Sequence, residues 1–83
     1  MKPNKVLHDA IIEVVEKQIR DRNPPATIET FNRLVSEGQS QDEARRLIGC
    51  VVASEIFGIH KQMQPYDEVR YVKALRKLPE LPE

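Results

Sequence analysis

The sequence predicts an all-α fold, a small four-helix bundle around a central apolar third helix. Three observations lead there. Apolar residues recur at three- and four-residue spacing in four separate stretches, the pattern of amphipathic helices, and no stretch reads convincingly as a strand. Prolines and glycines fall at the joints, at Asn23-Pro24-Pro25, Gly38 and Pro65. From Leu47 to Ile59 only Ser54 and Glu55 are clearly polar, so that helix is apolar nearly all round and belongs in the centre.

The first helix is expected from Lys5 to Asp21. Leu7, Ile11, Ile12, Val14, Val15 and Ile19 share one side, with Glu13, Glu16, Lys17 and Arg20 opposite. Asn23-Pro24-Pro25 ends it, because a residue before proline is pushed out of the helical region. Asn23 is then expected to cap the second helix, with Pro24 in its first turn. Ile28, Phe31, Leu34 and Val35 form its stripe, and Gly38 stops it. The third helix begins at a capping box, Ser40-Gln41-Asp42-Glu43, and runs to about Gln62. Leu47, Ile48, Val51 and Ile59 are its expected core residues. Gly49 and Gly58 weaken a helix, and close approach of a neighbour would explain both. The fourth helix starts at Asp67 and buries Tyr71, Val72, Leu75 and Leu78, while Arg70, Lys73, Arg76 and Lys77 face away. Residues 79–83 read as a flexible tail. The whole, residues 1–83, makes one domain with an ordered core over 5–78.

Thirteen Lys and Arg balance thirteen Asp and Glu. A dedicated nucleic-acid binder carries a basic excess, so nucleic acid is disfavoured as a partner. One cysteine, Cys50, excludes an intramolecular disulfide framework and fits a reducing cytoplasm. No apolar run approaches the ~18 residues of a membrane span, and Met1-Lys2-Pro3-Asn4-Lys5 does not open a signal peptide. A soluble cytoplasmic protein, not membrane-bound, is expected.

His8, Glu16 and Glu55 are the residues with chemical potential. His8 lies over Ile12, Val15 and Ile19 at helical spacing, so it is a partly buried histidine bonded to a carboxylate or carbonyl, or a metal ligand. Glu55 shares a side with Leu47, Ile48, Val51 and Ile59, where a carboxylate needs a partner: His8, Arg20, Arg45 or a helix end. Glu55 and His60 are five residues apart and face different ways. No nucleophile–base–orienter set, phosphate loop or Glu-x-x-His pair is present, so no reaction and no cofactor is indicated. Phe31 to Val52 has the outline of a helix-turn-helix with Arg45-Arg46 near the start of its second helix. That helix is apolar beyond Leu47, where a recognition helix would be polar. Cys50 reads as a small buried hydrophobe without a cation nearby.

Taken in order, Leu7-His8, Glu16-x-Gln18, Pro24-Pro25, Phe31-x-x-Leu34, an apolar helix bearing Glu55 and Tyr71-x-x-x-Leu75 resemble the C-terminal part of the bacterial domain-of-unknown-function family numbered 1841. The resemblance covers about Lys5 to Leu78. It implies a helical domain with no assigned activity. Members of that family carry further histidines and carboxylates, one histidine at the position of Ile12 and others near Glu43 and Leu47. If those hold a metal, this chain keeps only His8, Glu16 and Glu55.

The functional expectation is a non-enzymatic module of protein association, with itself above all. Cys50, Val52, Ile56 and Phe57 spread around the third helix beyond its core stripe. Surface left uncovered there, or on the first helix, would be buried in a homodimer. A metal-binding or remnant metalloprotein domain at His8, Glu16 and Glu55 is the alternative, and a weak helix-turn-helix association with nucleic acid comes third.

Overall fold

Helix α1 spans Lys5–Asp21, α2 Pro25–Ser36, α3 Gln41–Gln62 and α4 Glu68–Lys77. The computed structural model describes residues 5–63 and 65–82, with the side chains of His60, Lys61 and Gln62 outside the description. Among the described residues there is no strand. The relation of His60 to Glu55, and the reading of residues 1–4 and 83, therefore lie outside the described residues.

Each boundary has a local cause. At its C-terminal end α1 closes with Arg22 N–H on the Ile19 carbonyl and Asn23 N–H on the Gln18 carbonyl, the double bond of a Schellman motif. Arg22 takes the left-handed position, φ 53°, that glycine usually fills. The N-cap of α2 is Pro24, not Asn23: Pro24 is extended, φ −73° and ψ 152°, because it precedes Pro25 and is excluded from the helix by it. Pro24 has no side-chain acceptor to offer, so α2 starts without a side-chain cap. Its other end is a second Schellman motif, with Gly38 at φ 105° donating to Val35 and Gln39 donating to Leu34. Ser40 caps α3 by accepting from the Glu43 N–H at 3.0 Å. The reciprocal half of the expected box is replaced, since the Glu43 carboxylate binds Arg46 at 2.6 and 2.9 Å. Asp67 caps α4 by accepting from the Arg70 N–H at 3.2 Å.

α2 and α3 form the central pair, and each packs on every other helix. α1 and α4 flank them and do not pack on one another among the described residues. The core comprises Val15, Leu34, Ala44, Leu47, Ile48, Val51, Val52, Tyr71, Leu75 and Leu78. Half of it comes from α3, but from one stretch only, Ala44 to Val52. Ile59, expected in the core, is half-buried, and Ile56 and Phe57 are exposed. At 1.5 Å per residue α3 is about 33 Å long, the longest of the four helices, and among its described residues none beyond Val52 is fully buried. Val52, expected among the left-over surface, is instead buried.

Gly49 is where α1 crosses α3. A Cβ there would stand 3.3 Å from Ile11 Cγ2 and 3.7 Å from Ile12 Cδ1, so the glycine does permit close approach. Gly58 faces open space and needs another reason, which the structure does not supply. Beyond α4 the chain turns through a Glu80 N–H to Lys77 carbonyl bond, and Leu81 and Pro82 border a shallow groove beside α4.

Candidate functional site

The three sequence candidates do not come together. His8 is on the surface, its side chain 65% exposed, with Nδ1 3.4 Å from Asp9 Oδ1. It was expected partly buried, but the N-terminal turns of α1 stand clear of the core, and every residue from Lys5 to Ala10 is exposed. Glu16 pairs with Arg45 of α3, whose guanidinium also meets Asp42 and lies 5.3 Å from the Phe31 ring centroid. Glu55 is the most enclosed of the three, and it is neutralised by Arg70 of α4 at 2.5 and 3.2 Å. None of the partners proposed from sequence is the right one. Arg70 was placed facing solvent, yet it folds back over the end of α3, and its guanidinium pKa rises through that bond to Glu55. Among the described residues no three His, Cys, Asp or Glu side chains converge as a metal-ligand group.

Sequence reasoning also passed over a buried polar junction. The Gln18 side-chain oxygen accepts from the Thr27 hydroxyl and from the Tyr71 hydroxyl, each at 2.8 Å. This ties α1 to α2 and, through Tyr71, to α4. Burial pushes the Tyr71 phenol up to about 12, outweighing the hydrogen bonds around it. Tyr66 stacks at a tilt on Tyr71, centroids 6.2 Å apart, and desolvation raises its phenol as well. The signal was present: Gln18 is a polar residue beside the apolar stripe of α1, and both Gln18 and Tyr71 belong to the motifs that carry the family resemblance.

A second unforeseen residue is Arg33. It bonds Glu37 at 3.1 Å and the Leu75 and Arg76 carbonyls at 3.2 and 3.5 Å, supplying donors to the open carbonyl end of α4.

An apolar groove runs along the seam of α1 and α3. One groove of about 250 Å³ is walled by Leu7, Ile11 and Ile12 and floored by Gly49, Cys50 and Ala53, with His8 and Arg46 at its rim. It continues into a more polar recess bordered by Ser40, Asp42 and Glu43. Arg46 belongs to both: its bond to Glu43 lowers that carboxyl's pKa and raises its own. Cys50 is half-buried rather than buried, and the Arg46 guanidinium stands 3.9 Å from its Sγ, so the cation absent from the sequence reading is there. On the other flank of α1 a smaller hollow of about 160 Å³ is bounded by Val14, Ile56, Ile59 and the two tyrosines.

Chemically, these surfaces offer apolar area with compensated charges at the edges. Within the helix-turn-helix outline, α3 gives Ala44, Leu47, Ile48, Val51 and Val52 to the core, and its Arg45 and Arg46 are paired with carboxylates. No described helix is long and apolar enough to cross a membrane. No family model, curated protein or solved structure matches the chain.

Proposed function

We propose that the chain is a non-enzymatic, cytoplasmic association module whose partner is a second copy of itself. The observation that carries this reading is the surface left uncovered along α1 and the far end of α3. Large apolar side chains stand exposed there: Val6 and Leu7 on α1, Ile56 and Phe57 on α3. Zero net charge leaves two copies without long-range repulsion. A lone cysteine suits the cytoplasm. The resemblance to family 1841 belongs to the same proposal and adds no chemistry to it.

Sedimentation equilibrium between about 10 μM and about 1 mM protein tests the reading. The weight-average mass should climb from 9.6 kDa toward twice that value. A mass that stays at the monomer value throughout refutes self-association.

A further inference from the structure

We infer that residues 65–70, the extended approach to α4 and its first turn, form a flap that opens by itself while the rest of the bundle stays folded, and that the Arg70 guanidinium is its latch. Self-association is neither required by this flap nor tested by it.

Every residue from Pro65 to Arg70 is exposed, Tyr66 by 52% and Val69 by 68%. None of them belongs to the core. The chain changes character one residue later. Tyr71, Leu75 and Leu78 are buried, and Arg33 of α2 holds the far end of α4 by the Leu75 and Arg76 carbonyls. Local opening is easiest where few apolar side chains are buried, so the border between a loose and a fixed part of α4 falls between Arg70 and Tyr71. The fastening of the loose part to α3 is polar. Arg70 donates from Nε and Nη2 to the two oxygens of Glu55, at 3.2 and 2.5 Å, and from Nη2 to the Pro65 carbonyl at 3.3 Å. One side chain thus joins both ends of the flap to α3. The Glu55 side chain is only 11% exposed, and bidentate charge-assisted bonds of this kind are the strong ones, so they hold the flap closed. On the inner side, Tyr66 leans on Tyr71 and walls the hollow formed by Val14, Ile56 and Ile59. Lifting the flap removes that wall and brings water to Glu55 and Gln18, which line the same hollow.

Amide hydrogen exchange, read residue by residue by NMR at low urea concentrations, tests the flap. The Tyr71 N–H, bonded to the Asp67 carbonyl at 3.0 Å, reports its opening, and the Ile48 N–H in the middle of α3 reports the core. In the unmodified chain, after correction for intrinsic rates, the Tyr71 amide should exchange about 100-fold or more faster than that of Ile48. Its rate should hardly change with urea, because opening the flap uncovers little surface. Glu55→Gln keeps the side chain's size and removes its charge, and should speed the Tyr71 amide about tenfold. Val51→Ala weakens the core in the open and closed forms alike. It should speed the Ile48 amide and leave that of Tyr71 within about twofold. A Tyr71 amide that matches Ile48 in rate and urea dependence in the unmodified chain, a result that needs no variant, overturns the flap. A Tyr71 amide unmoved by Glu55→Gln, while that of Ile48 accelerates, shows the pair intact in the open form and overturns the latch.

Discussion

The Tyr71 hydroxyl closes a hydrogen-bonded junction within an apolar core, and its behaviour with pH follows from that position. Its phenol is held at about 12, above the 10.0 of a free tyrosine, because the core disfavours the phenolate. The fold therefore favours the neutral form. The tyrosine's contribution is complete below pH 10 and is lost as pH rises from 10 to about 12. Two units correspond to about 2–3 kcal/mol. Urea midpoints of the unmodified chain should fall across that window, and those of Tyr71→Phe should fall by clearly less. At pH 7 Tyr71→Phe should cost about 1 kcal/mol, since Gln18 keeps only the Thr27 bond. Equal alkaline losses in both proteins would mean that Tyr71 does not carry the effect. The two helical glycines give a second contrast. Gly58→Ala meets nothing within 4 Å and should gain about 0.5–1 kcal/mol of helix propensity in thermal or urea unfolding. Gly49→Ala should gain less or lose, because its methyl group presses on Ile11 at 3.3 Å.

Two helices end on a non-glycine residue in the left-handed region, α1 on Arg22 and α3 on Met63. The Schellman motif of α1 requires a left-handed residue, and arginine occupies that place. A side chain with a Cβ costs about 1–2 kcal/mol there, of which glycine's greater freedom in the unfolded chain recovers part. Arg22→Gly should therefore stabilise the protein by about 0.5–1 kcal/mol in urea denaturation. A loss of stability would show that the arginine side chain contributes contacts that outweigh its backbone strain. The chain gave fair warning of most helix ends. Ser40 and Asp67 cap as their residue types suggest, and Gly38 terminates α2. Asn23 did not cap because Pro25 excludes Pro24 from the helix, moving the start one residue onward.

Across the whole molecule, stability depends on the stretch of α3 that every other helix covers. Val51 is 2% exposed near the middle of it. Val51→Ala should cost about 1–3 kcal/mol through lost burial and an unfilled cavity, read from the urea midpoint. A loss of only a few tenths would mean that the core is centred elsewhere. The other end of the same helix is a different environment. Ile56 and Phe57 are exposed there, although Glu55 beside them is covered by Arg70 of α4.

Periodicity, caps and breakers in the sequence were enough to determine the class, the number of helices and nearly all their ends, because those are set by each residue's immediate neighbours along the chain. They also placed Leu47, Ile48 and Val51 in the core. Pairing between helices was decided only by the tertiary structure. A helical wheel says that Glu55 needs a counter-charge, but choosing Arg70 over His8, Arg20 or Arg45 depends on which helix lies across from it and how far along. His8 shares a wheel sector with Val15, yet one is 65% exposed at its side chain and the other fully buried, because α1 leaves its cover as it runs toward its N-terminus. A wheel has an angle and no length. The relative lengths and offsets of four packed helices determined which apolar residues became core and which were left as surface.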